Sequence, residues 1–313
     1  AAAFCEGYKT FLNRGKTERE CVKTAEELLK AAGYQVYDET KAYQPGDKVY
    51  QINRGKSLIA ATFGKRPVKE GVRINGAHID SPRLDLKPMP LYEKDEMALF
   101  KTHYYGGIRK YQWTAIPLAM HGVVIKADGE AVELNLGENP GDPVFCITDL
   151  LPHLAGEQNE RKLKDGVQGE ELNIVVGSLP FVCEEDIKEA VKLNVLQILH
   201  EQYQITEKDF LRAEVEFVPA FKASDAGLDR SMIGAYGQDD RVCAYTALMA
   251  EIDEKEPLYT TVTVLTDKEE IGSCGNTGLD SNYVGDFIIW LAQGQGADPK
   301  EVFRNSICLS SDV

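Results

Sequence analysis

The stretch "LYTTVTVLTD", residues 258–267, is rich in apolar and β-branched side chains, a pattern suited to a strand buried on both faces of a sheet. It follows the strongly amphipathic helical pattern of "QDDRVCAYTALMAEIDEK" and precedes a helical stretch near 279–294 and the strand-like "SICLSS". Helix alternating with strand places this part of the chain in an α/β class. The opening segment has a compatible texture. "TERECVKTAEELLKAAG" is helix-patterned, with a glycine where a C-terminal cap is expected, and "KVYQINRG", "SLIAATFG" and "GVRINGAHID" are short strand-like runs punctuated by glycine.

The middle of the chain differs. "VVIKADG", "AVELNLGENPGDP" and "RAEVEFVPAF" suggest strands and turns, with one helix over "EEDIKEAVKLNVLQILHEQY". The simplest organisation is an α/β domain built from residues 1–88 and 222–313, with a β-rich domain, 89–221, inserted between its halves. "SICLSSDV" reads as a buried strand that stops abruptly at Val313, so the natural chain is expected to continue past it; the missing initial Met suggests a short omitted N-terminal piece.

Composition excludes several classes. A net charge of −15 over 313 residues argues against a nucleic-acid partner, which needs a basic face. No apolar run approaches the ~18–20 residues of a membrane span. Seven cysteines, odd in number and without a CxxC pair, fit reduced thiols in a cytoplasmic protein.

Four acidic features sit at expected strand ends or helix starts, where ligand sites of α/β sheets gather. In His78-Ile79-Asp80, residues i and i+2 of a strand share a face, so Asp80 can orient the ring of His78 toward a metal. Alone, the pair reads more readily as a polar strand end. Asp239 and Asp240 precede the strong helix, and capping accounts for one of them; the spare carboxylate is available to bind one metal or bridge two. Asp267, Glu269 and Glu270 crowd one strand exit, where like charges repel unless cations neutralise them. On an extended backbone Glu269 and Glu270 would point in different directions, one binding metal and the other taking a proton from water. Asp312 ends another apolar strand. One His among several carboxylates suits zinc, manganese or cobalt better than an all-oxygen magnesium site, and makes metal-assisted hydrolysis the leading class.

"GAHIDSP", "FKASDAGLDRSMIGAYGQDDRVCAYTAL", "DKEEIGS" and "SSD" resemble, in order and spacing, the aspartyl aminopeptidase (aminopeptidase I) family of dinuclear zinc peptidases, with this chain a bacterial member. The resemblance implies a three-layer αβα catalytic domain with a mixed sheet and an inserted β-rich dimerisation domain. It implies two divalent ions, with zinc expected and manganese or cobalt as alternatives. His78, Asp239, Glu270 and Asp312 would be ligands, Asp239 bridging and Asp312 sharing an ion with His78. Asp80 would support His78, and Glu269 would be the general base for a water bridging the two ions. A final His ligand of the family lies far toward the C-terminus and has no counterpart before Val313. His153, in "TDLLPHLAGE", matches a histidine that reaches a neighbouring subunit's active site. The implied substrates are peptides with a free N-terminus, and the implied assembly is a dodecamer of dimers. Apolar residues after Trp113 depart from the family's acid- and arginine-containing run and leave a preference for N-terminal Asp or Glu open. The rival readings are a related dinuclear carboxypeptidase or amide deacylase, and a noncatalytic assembly or cargo protein.

Overall fold

Thr17 starts the fold's second helix with a reciprocal cap. Its hydroxyl accepts the Glu20 N–H, and the Glu20 carboxylate accepts the Thr17 N–H. The chain runs through α1 (Ala2–Arg14), α2 (Glu18–Ala31), β1 (Gln35–Val36), β2 (Lys48–Asn53), β3 (Ser57–Thr62) and β4 (Arg73–His78). Next come β5 (Arg83–Lys94), β6 (Met97–Tyr105), β7 (Leu118–Ile125), β8 (Ala131–Leu136), α3 (Gly156–Asn159), β9 (Ile174–Gly177), α4 (Ala190–Tyr203) and β10 (Ala213–Pro219). The last part holds β11 (Ser224–Ala226), β12 (Met232–Gly234), α5 (Gln238–Asp253), β13 (Thr261–Thr266), α6 (Tyr283–Gly294), α7 (Pro299–Asn305) and β14 (Ile307–Ser310). This is a computed structural model, and it describes residues 2–182 and 187–313.

The chain divides into two units: Ala1–Ser81 with Lys222–Val313, and Pro82–Phe221. Residues 82–88, expected with the opening segment, thus belong to the second unit, where most of them lie on β5; no shift in composition marks that crossing. In the first unit a mixed six-stranded sheet has the order β1-β2-β3-β13-β4-β14. β13 is central, parallel to β4 and antiparallel to β3, which agrees with its apolar run. Helices α1, α2 and α5 bury Phe11, Leu29, Ala244 and Leu248 with Leu58 and Leu265 in one core. Helices α6 and α7 bury Phe287, Leu291 and Val302 with Ile59 and Val264 in the other. One core on each sheet face gives the layered αβα arrangement. The second unit contains an antiparallel sheet in the order β8-β7-β10-β5-β6-β9.

β14 is apolar, pairs with β4 and exposes all four of its residues. The helix expected over 184–203 begins at Ala190, and residues 184–186 lie outside the described residues. Helices α1 and α7 had no separate expectation, since each lies beside a charged or glycine-containing stretch that masks its period.

Glu251 is buried on α5 and accepts hydrogen bonds from the hydroxyls of Thr62, Thr261, Thr263 and Tyr34 at 2.7, 3.0, 3.1 and 3.3 Å. Burial outweighs these bonds and raises its carboxyl above the ordinary range. The folded protein therefore keeps this proton to higher pH than the unfolded chain does. Its stabilising contribution is complete below the unfolded pKa, about 4.3, and is lost as pH rises through the raised folded value. Glu251→Gln is expected to remove that decline. The variant's urea midpoint minus that of the wild type should rise with pH across this window; a pH-independent difference would refute the linkage.

Candidate metal centre

Strands β4, β13 and β14 run parallel, so their carboxyl ends lie on the same edge of the sheet. His78 is the last residue of β4, opposite Thr266 of β13, and only 3 % exposed. Its two ring nitrogens have separate surroundings. Nδ1 lies 3.0 Å from the Asp80 carbonyl oxygen and 3.3 Å from Asp80 Oδ1. Nε2 faces three carboxylates, with Asp239 Oδ1 at 3.2 Å and Glu269 Oε2 and Asp312 Oδ1 each at 3.6 Å. One side of the ring is held and the other is presented to ligand-type oxygens.

Asp80 is fully buried and joins two parts of the site. Its Oδ1 accepts the Glu269 N–H and its Oδ2 accepts the Glu270 N–H, each at 3.2 Å. The backbone there is not extended, as the sequence suggested. Lys268 is left-handed at φ 71°, and Glu269–Ile271 form a 3-10 turn that points successive N–H groups at one carboxylate. The two side chains still separate, with Glu269 exposed and Glu270 half-buried. Asp267 is buried and accepts the Thr277 hydroxyl at 2.7 Å, closing the base of the same loop.

Asp239 and Asp240 lie at the start of α5 but outside helical dihedrals, joined by a cis peptide bond. The Ser81 hydroxyl donates to the Asp239 carbonyl at 2.8 Å. The Asp239 side chain is exposed and meets His78. Asp240 is buried beside the Cys243 thiol. Burial, then Asp240, push the thiol of Cys243, one turn on, up to about 12, a setting unlike that of a reactive cysteine.

The electrostatics favour a cation. Burial opposes charge on His78, but the Asp80 carboxylate outweighs it and pushes the imidazole up to about 9. Burial, then Asp239 and Asp80, push Glu270 up to about 7. Burial and the Glu18 carboxylate push Asp267 up to about 6. Carboxylates so crowded gain from positive charge, and a metal ion competing with protons supplies it. Among the described residues, ligand atoms of His78, Asp239 and Asp312 lie within 4.8 Å of one another. One imidazole nitrogen with carboxylate oxygens fits zinc and its borderline neighbours. Glu270 stands outside that three-residue group. His153 is in the second unit, on an exposed turn ahead of α3. No sequence signal marks the hold of Ser81 on the Asp239 backbone.

A family model described as aminopeptidase I zinc metalloprotease (M18) matches residues 11–313. The chain belongs to the M18 aminopeptidase family. A probable M18 family aminopeptidase 1 from Clostridium acetobutylicum is 48% identical, aligned over 99% of this chain and 68% of its own length. A protein of the same description from Thermotoga maritima is 46% identical over 99% of this chain and 69% of its own length. The crystal structure of an M18 family aminopeptidase from Thermotoga maritima superposes with a TM-score of 0.94 at 46% identity, covering 100% of this chain and 69% of that one. The structure titled S. cerevisiae mApe1 dodecamer shares the fold, with a TM-score of 0.76 at 22% identity, covering 98% of this chain and 71% of that one. These M18 relatives support the aminopeptidase reading over the carboxypeptidase, deacylase and noncatalytic ones, and fix the mixed α/β class.

Proposed function

We propose that this M18 aminopeptidase removes the N-terminal residue of peptides at a centre of two divalent ions. His78 and Asp312 would hold one ion, Glu270 the other, and Asp239 both. Zinc supplies Lewis acidity toward the scissile carbonyl and makes water a stronger nucleophile at neutral pH. Asp80 orients His78 and fixes the backbone of the Glu269 turn. Glu269, exposed beside His78, takes the proton of the attacking water and returns it to the leaving amine. The convergence of β4, β13, β14 and α5 on Nε2 of His78 carries this reading.

The chain's surface supports self-association as well. The second unit exposes Val144, Leu150, Leu151, Leu154, Leu163 and Leu179, apolar side chains suited to a subunit interface. Dimers assembling to a dodecamer, with His153 serving a neighbouring subunit's site, extend the proposal. No helix among the described residues is long and apolar enough to cross a membrane. Cytoplasmic residence is proposed on the free thiols of the six described cysteines.

Treating the full-length protein with a chelator is expected to abolish hydrolysis of aminoacyl-peptides, and adding zinc to restore it. Peptides with a free N-terminus should be shortened by one residue from that end, and their N-acetylated forms should resist. Shortening from the C-terminus would instead identify a carboxypeptidase, and release of acetate a deacylase.

A further inference from the structure

Ile79, between His78 and Asp80, is where three segments of the site meet. Its N–H donates to the Thr266 carbonyl of β13 at 2.8 Å, and the exit of β13 leads to Glu269 and Glu270. Its own carbonyl accepts from Nε of Arg241 at 3.2 Å. Arg241 follows Asp239 and Asp240 on α5, and its Nη2 donates to the Lys16 carbonyl, between α1 and α2, at 2.9 Å. The guanidinium is 1 % exposed and lies 5.4 Å from the centre of the Tyr236 ring.

Keeping a charge at this depth is costly, and an apolar side chain of similar volume would fill the space without that cost. A planar, forked donor has one property such a side chain lacks, the ability to hold two carbonyls at a fixed separation. The neighbouring chain makes room for it. A Cβ on Gly237 would lie 2.0 Å from Arg241 Nη1, and this glycine is at φ +78°. Both links bear on the same pair of proposed ligands. Arg241 joins the peptide after His78 to the helix start that carries Asp239, and Ser81 joins Asp239 from the other side of Asp80.

We infer that Arg241 is a positioning residue for the metal centre, setting the separation of His78 from Asp239 through the Ile79 carbonyl and thereby the affinity for zinc. The inference rests on the ligand set proposed above. Arg241 touches no ligand side chain in this role; it fixes the backbone from which two of them project.

The test uses the full-length protein and zinc alone. Arg241→Met keeps the stem and removes the donors, while Arg241→Lys keeps the charge but cannot hold both carbonyls. Zinc affinity is measured by competition with a chromophoric chelator, alongside thermal unfolding with and without zinc. The expected result is a loss of about 10–100-fold in zinc affinity for Arg241→Met, a smaller loss for Arg241→Lys, and a smaller rise in Tm on adding zinc. A merely structural arginine would lower the Tm of the zinc-free protein and leave zinc affinity at the wild-type value. That outcome in a folded variant overturns the inference, and Arg241→Lys decides by the same criterion if Arg241→Met does not fold. His78→Ala is the control for the ligand set. If it binds zinc as tightly as wild type, the ligand reading fails, independently of what the Arg241 variants show.

Discussion

Glu269→Gln in the full-length protein is expected to lower kcat by about 10²–10⁴-fold, the range for loss of a positioned general base, with zinc content and KM nearly unchanged. The substitution keeps the side chain's size and removes its capacity to accept a proton. The Glu269 N–H would still donate to Asp80 Oδ1, so the turn and the Glu270 N–H bond beside it are preserved. The loss should therefore fall on the chemical step. Metal analysis and steady-state kinetics on the same preparation separate the outcomes. Near-wild-type turnover with full zinc would remove Glu269 from the mechanism, and lost zinc would make it a ligand. The second outcome has a structural basis, since Glu269 Oε2 is 3.6 Å from His78 Nε2 while Glu270 lies outside the three-residue ligand group.

Asp80→Asn should affect both metal binding and turnover. The carboxylate accepts one N–H at each oxygen and lies against Nδ1 of His78. An amide keeps one acceptor, and in either orientation its NH₂ faces a backbone N–H, that of Glu269 or that of Glu270. A buried donor set against a donor loses its own bond and orphans its neighbour's. Zinc affinity is expected to fall about 10–100-fold through the loosened His78. At saturating zinc a residual fall in kcat should persist, because the Glu269 turn is loosened too. Chelator competition gives the first quantity and kinetics in excess zinc the second. Full recovery of kcat in excess zinc would confine Asp80 to His78 and dismiss its role in placing Glu269.

The legible parts of this protein were those where one side-chain pattern determines one structure. β13 announces its central place through alternating Thr and Val with Leu. The acid at each strand end was also legible, since three parallel strands must bring their ends to one edge. Geometry that depends on the backbone between motifs was not. The tight turn at Glu269 depends on Asp80, 189 residues away in sequence, and no local pattern reports such a partner. Arg241 looked like an ordinary charged residue of an amphipathic helix; its burial follows from Ile79 and Lys16, which meet it only in the folded unit.

The insertion has a kinetic consequence for the site. His78 and Asp80 precede residues 82–221, whereas Asp239, Glu269 and Asp312 follow them. An unfolded segment of that length would have to be closed as a loop before β4 could meet β13. Within the second unit, however, β5 and β10 are paired near its two ends, with Leu84 opposite Phe217. Once that sheet forms, its entry and exit strands are side by side, and the effective loop between β4 and β13 shortens to less than a third of its length, most of it the stretch between β10 and β13. On the logarithmic law for loop closure this lowers the entropic cost of joining the two halves of the first unit by about 1 kcal/mol. The inserted sheet thus acts as a clasp, and the order in which the two units fold governs how quickly the dispersed ligands are gathered.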